Sequence, residues 1–259
     1  MALVATLLTG CVHTAGPPAD TAYSLAAGFD ATHVLAPPPA DAASQARDLQ
    51  AVRLAERTRT PEQAGEAEAT SAVDVFLFAT VLGPRFSAQQ LPVSNAFFGR
   101  VYRSALPYLQ ATKDCWHRER PFEVDATLSP LSRSFASTRL RSAPAPARAA
   151  SPPPGDSPCS APAANPTYSP SYPSDHAMVG AMMAIVLADM VPERRTALFE
   201  RGWDLGEARV ISGVHFPTDV AAGRTLAAVV VSLMQQDRRY GADFSAARRE
   251  LRSVLGLSP

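Results

Sequence analysis

Three short stretches of the chain gather most of the residue types that can move protons or hold charge. They are Lys113-x6-Arg120-Pro121, Pro173-Ser174-Asp175-His176 and Arg209-x5-His215-x3-Asp219. Lys113 is the only Lys among 24 basic residues, and two of the five His are defining positions of these stretches. Each stretch alone has an ordinary explanation. A Lys two helical turns before an Arg is commonly a solvated face. A His at a helix start is commonly a capped surface residue. A His and an Asp four apart commonly share a local hydrogen bond. Together they offer three cations, two imidazoles and a carboxylate. Arg forks grip oxyanion oxygens in pairs, and an ammonium adds a compact point charge. The ligand this set suits is a tetrahedral oxyanion with a His on either side.

The elements that must position these groups can be read from the Pro residues. Pro217 fits only the first turn of a helix, so His215 lies just outside a helix N-terminus and Asp219 in or just past its first turn. Asp219 can then bind one imidazole nitrogen and leave the other free to attack. Ser174 and the N–H groups of Asp175 and His176 sit at another helix start, where free N–H groups and the helix dipole attract anions. His176 has no carboxylate four residues on. Helical patterns are expected over 42–65, 72–82, 92–110, 174–190, 192–210, 217–236 and 244–255, with Pro107 kinking the third or ending it early. Strand signals are almost absent, so the class is all-α.

With 259 residues and 24 residues of each charge sign, the chain can build a large core. It lacks the basic excess on which nucleic-acid binding rests. No apolar run is long enough to span a membrane. Residues 12–41 read as a Pro- and Ala-rich tether stiffened by Pro37-Pro38-Pro39. Ten of the 24 Pro fall between Pro144 and Pro173, marking 141–173 as an extended insertion, either a cover over a site or a tolerated surface loop. Leu8-Thr9-Gly10-Cys11 resembles the lipobox of bacterial lipoproteins, which implies a signal peptide over 1–11, export, and acylation at Cys11. Cys115 and Cys159 then remain. One disulfide between them is expected; two free thiols are the alternative.

The three stretches, in this order, resemble the signature of the phosphatidic acid phosphatase type 2 superfamily: K-x6-R-P, P-S-G-H and S-R-x5-H-x3-D. Residues 202–215, Arg118-Glu119-Arg120-Pro121-Phe122 and Ser171-Tyr172-Pro173-Ser174 look like its soluble branch, the bacterial class A non-specific acid phosphatases. The resemblance implies a compact all-α bundle of the acid phosphatase/vanadium haloperoxidase type over 42–259. It implies hydrolysis of small phosphate monoesters with broad specificity and without metal or other cofactor, in the periplasm or anchored to the outer membrane by lipid. Homo-oligomers are compatible with it. Lys113, Arg120, Arg209, Ser174 and the Asp175 N–H would bind phosphate. His215 would be the nucleophile of a phosphohistidine, Asp219 its orienting partner, and His176 the proton donor to the leaving group.

Two positions depart from the pattern. Ala208 replaces a Ser without an assigned role. Asp175 replaces Gly and puts a negative charge where a dianion is expected, either lowering affinity or holding His176 protonated. Three other readings share the signature. They are a lipid or isoprenoid diphosphate phosphatase, a vanadate-dependent haloperoxidase (typically a much longer chain), and a phosphate- or vanadate-binding protein with little turnover.

Overall fold

The helix Asp175–Met190 is apolar on nearly every face: Met178, Met182, Met183, Leu187 and Met190 are among its buried side chains. A helix of that composition belongs at the centre of a bundle. The computed structural model describes residues 22–25, 28–131, 159 and 169–258, and among these every regular element is helical. In chain order they are α1 (Ala42–Thr58), α2 (Pro61–Ala69), α3 (Ala79–Leu82), α4 (Pro92–Trp116), α5 (Pro121–Val124), α6 (Asp175–Met190), α7 (Arg195–Ile211), α8 (Pro217–Met234) and α9 (Arg238–Leu255). Short 3-10 turns at Ala31–His33, Val75–Phe78 and Pro192–Arg194 complete the set. Central α6 packs mainly on α7 and α8, while α4 lies against α9. The α4–α9 seam is aromatic, with Phe97 stacked at an angle on Phe98, Tyr240 and Phe244.

Glycines set the spacing around α6. A Cβ on Gly180 would stand 2.7 Å from the Gly202 carbonyl oxygen of α7, and one on Gly202 would stand 2.6 Å from the Gly180 oxygen. A Cβ on Gly223 of α8 would fall 2.4 Å from the Ser174 carbonyl oxygen. Real Cβ atoms do not approach so closely, so backbone meets backbone at both places.

Several expected boundaries move. The helix expected over 42–65 is two helices, because Pro61 cannot continue α1 and Thr60 caps α2 in a reciprocal capping box with Gln63. The helix expected over 72–82 is a 3-10 turn capped by Asp74 and the single turn α3. Pro107 does not stop α4, which runs on to Trp116, and α9 starts earlier than expected, capped by Asp237. The tether expected over 12–41 is corrected in its second half. Tyr23, Leu25, Ala31 and Leu35 are buried in the main core, and the Tyr23 N–H donates to Ser104 Oγ at 2.7 Å. The expected signal peptide, Cys11, the first part of the tether and most of the Pro-rich insertion lie outside the described residues. Cys159 is described, and it is disulfide-bonded to Cys115 near the end of α4, with Cα atoms 4.4 Å apart. None of the described helices is long and apolar enough to cross a membrane.

Candidate active site

The three sequence stretches meet where the N-termini of α6 and α8 face the C-terminal ends of α4 and α7. Lys113 sits in the last turn of α4, Arg120 caps α5, and Arg209 sits in the last turn of α7. All three cations are buried, the two Arg to 1% exposure. Backbone carbonyls hold them in place. Lys113 Nζ donates to Pro170 O at 2.7 Å and Pro173 O at 2.9 Å. Arg120 donates from Nε to Ser169 O and from Nη1 to Val214 O, each at 2.9 Å. Arg209 Nη2 donates to Ala67 O at 2.7 Å and Thr70 Oγ1 at 2.8 Å, while its buried Nε has no hydrogen-bond partner among the described residues.

Burying three cations together is unfavourable, and their acidities record it. Burial pulls the Lys113 ammonium down to about 8, against the opposing pull of Asp175. Burial lowers Arg120 in the same way and Arg209 to about 10, again with Asp175 favouring the charged forms. Such a cradle gains from any anion placed inside it.

His215 is fully buried just before α8. Its Nδ1 lies 3.5 Å from Asp219 Oδ2 and 3.4 Å from Ser171 Oγ. Its Nε2 lies 3.3 Å from Arg120 Nη1. A guanidinium can only donate, so the Arg120 contact favours a proton on Nδ1 and a lone pair on Nε2, with Asp175 Oδ1 at 3.5 Å from Nε2 pulling the other way. Burial, then the Arg120 charge, lowers the His215 pKa below its ordinary value of 6.5. The neutral form of the ring is thereby favoured.

Asp219 is held through both oxygens. Its Oδ2 accepts the Ser171 hydroxyl at 2.6 Å and the Phe216 N–H at 2.8 Å, and its Oδ1 accepts Arg118 Nη1 at 2.5 Å. Burial opposes its ionisation. The His215 contact, the Arg118 charge and the Ser171 hydroxyl outweigh burial and hold the carboxyl below its usual range. Arg118 also donates from Nη2 to Asp48 Oδ2 of α1 at 2.7 Å and lies 4.0 Å over the Phe216 ring. Thr218 bonds the same Asp48 oxygen.

Ser174 caps α6: its Oγ accepts the Ala177 N–H at 3.4 Å, and its own N–H donates to Asp219 O at 3.0 Å, tying the two helix starts together. His176 Nε2 lies 2.9 Å from Ser71 O, which fixes the ring, and turns Nδ1 towards Asp175 Oδ1 at 3.3 Å. The carboxylate His176 lacks at four residues' distance is thus supplied by its neighbour. The same Asp175 oxygen lies 3.5 Å from His215 Nε2.

All eight catalytic and phosphate-binding positions named from the sequence therefore converge on one place. Arg118, Ser171, Asp48 and the Ser71 carbonyl join them without having been assigned roles. Arg118 and Ser171 belong to the quoted family stretches, which is the signal that could have marked them. Asp48 and Ser71 carried none.

The chain is 41% identical over 78 residues to a non-specific acid phosphatase of Salmonella typhimurium, covering 30% of this chain and 31% of that protein. It is 40% identical over 76 residues to a non-specific acid phosphatase of Salmonella typhi, covering 29% and 30%. The matches thus span about a third of the length of these two relatives. An acid phosphatase of Zymomonas mobilis is 27% identical over 224 residues, covering 84% of this chain and 74% of that protein. The model of the PAP2 superfamily matches residues 95–241, more than half of the sequence and every residue of the three stretches, and the chain belongs to that superfamily.

Proposed function

We propose that the protein is an acid phosphatase that hydrolyses small phosphate monoesters of broad range through a phosphohistidine. One observation carries the reading: His215 Nε2 and His176 Nδ1 lie within 3.5 Å and 3.3 Å of the same Asp175 oxygen, and three buried cations, Lys113, Arg120 and Arg209, feel the charge of that carboxylate. The phosphoryl group lies between the two imidazole nitrogens, its oxygens held by Lys113, Arg120, Arg209 and the start of α6 at Ser174 and Asp175. His215 Nε2 attacks phosphorus while its Nδ1–H donates to Asp219, which stabilises the imidazolium that forms. His176 protonates the departing alkoxide from the opposite side, then takes a proton from the water that cleaves the phosphohistidine. The fixed cations offset the charge that develops on the phosphoryl oxygens, so the chemistry needs no metal.

The lipobox-like Cys11 and the Cys115–Cys159 disulfide support an exported protein, in the periplasm or anchored there through an acylated Cys11. Phosphate release from para-nitrophenyl phosphate, with and without EDTA, tests the reading. Turnover that survives EDTA and is inhibited competitively by vanadate is the expected result. Turnover abolished by EDTA and restored by a divalent ion overturns it.

A further inference from the structure

The position between the two active imidazoles is where the phosphoryl group must lie, and a side chain of this chain reaches into it. Asp175 Oδ1 is 3.3 Å from His176 Nδ1 and 3.5 Å from His215 Nε2, and it accepts the His176 backbone N–H at 3.1 Å. We propose that the Asp175 carboxylate is an internal counter-anion that stands in the phosphate cradle and must turn out of it before an oxyanion can bind. The proposal rests on the acid phosphatase reading above for the location of the phosphoryl group.

Three observations support it. The carboxylate is an anion with two oxygens, and the groups facing it are the phosphate-binding set. His176 shares its helix, Lys113 comes from α4, Arg120 from the cap of α5, Arg209 from α7 and His215 from the segment before α8. Burial alone would raise its pKa; the surrounding His and Lys charges instead hold it well below the ordinary carboxylate value. Lastly, its side chain is 35% exposed whereas that of Asp219 is 0% exposed. A side chain at the first position of a helix with open solvent beside it can swing away by rotation about χ1, with no movement of α6.

The consequence is a specificity and product-release device. Any oxyanion must displace contacts already made inside the protein, so weakly charged ligands gain little. Inorganic phosphate, the product, is met by a competitor tethered at the site. Retention is thereby weakened for every ligand, and turnover is less exposed to product inhibition.

The test is titration of the full chain with inorganic phosphate by calorimetry, comparing wild type with D175N and D175G. D175N keeps the side-chain shape and removes the charge, and it reads the idea even where the Gly variant folds poorly. Phosphate affinity is expected to rise about tenfold or more in D175N, the scale of one charge-assisted contact no longer displaced. Unchanged or weaker phosphate binding overturns the proposal, because Asp175 would then be indifferent or part of the binding set. A phosphate-bound crystal structure gives a second readout. Asp175 turned to solvent is expected, and its carboxylate still between His176 Nδ1 and His215 Nε2 is the contrary result. Failure of the enzyme reading shows itself separately, as absence of para-nitrophenyl phosphate turnover in the wild type whatever the phosphate affinities.

Discussion

At the start of α8, an Asp in the first turn folds back into the protein. Asp219 caps the Phe216 N–H, receives Ser171 and Arg118, faces His215 Nδ1, and is fully buried. At the start of α6, an Asp one residue past the cap points across the site. Among the described residues, Asp175 receives the His176 N–H and faces two imidazole nitrogens, with a third of its side chain exposed. Both helix starts thus present an Asp beside a His. The difference lies in what else holds each carboxylate. A carboxylate held through both oxygens by several interior donors is a fixture that sets a tautomer. One with few partners and a path to water is exchangeable. Whether an Asp–His pair is machinery or ballast is therefore decided by the third and fourth partners, which the pair itself does not reveal.

The sharpest way to break the comparison is at the two imidazoles. His215→Ala should abolish phosphoenzyme formation with every substrate. His176→Ala should slow poor leaving groups by about 10²–10⁴-fold, the usual scale of general acid catalysis. With para-nitrophenyl phosphate, whose leaving group needs no proton, its first step should survive. Rapid quench should then trap labelled protein in His176→Ala but not in His215→Ala, and the reverse pattern would exchange the two roles.

Next in size is the loss of the fixed carboxylate. Asp219→Ala removes one of the two acids facing Arg118 and leaves the guanidinium underpaired in the interior. A cost of about 3–5 kcal/mol is expected, the range for breaking a buried ion pair, read from urea unfolding midpoints. A cost below 1 kcal/mol would show that Asp48 alone satisfies Arg118.

Smaller is the pH dependence of the shared cradle. Lys113 must be charged to hold an oxyanion, and burial brings its pKa down to about 8. Protonated Lys113 is lost as pH rises through that value, so kcat/KM should fall on the alkaline side near pH 8. Lys113→Arg should move that limb upward, because a guanidinium keeps its proton. The smallest effect is expected at the α6 cap. Ser174→Ala removes the acceptor for the Ala177 N–H and should cost about 1 kcal/mol, a Tm change of roughly 2–4 °C at this chain length.

Much of the site was legible because its logic is local. Pro217 fixed the start of α8 and with it the placement of His215 and Asp219, and Ser174 stood at a second helix start. The supporting groups were not legible for the opposite reason. Arg118 meets Asp48 across 70 residues and Asp219 across 101, and Ser171 reaches Asp219 across 48. No periodicity encodes such pairings. Residues 22–41 misled because their Pro and Ala content is that of a linker. Tyr23 is nonetheless buried against Phe97 of α4 and Tyr240 of α9, and Leu35 is buried in the same core. The break between α1 and α2 is encoded in Thr60-Pro61-x-Gln63, a short signal inside a stretch whose composition is helical throughout.

The glycines of α6, α7 and α8 give the site a gauge. His176, Arg209 and Asp219 ride on three rods whose separations are set by bare backbone at Gly180, Gly202 and Gly223. The diameter of the proposed oxyanion cradle is therefore fixed by residues that contribute no functional group to it. A methyl group added at any of the three would act like a shim in a caliper, opening the jaws while leaving every reactive residue in the sequence intact.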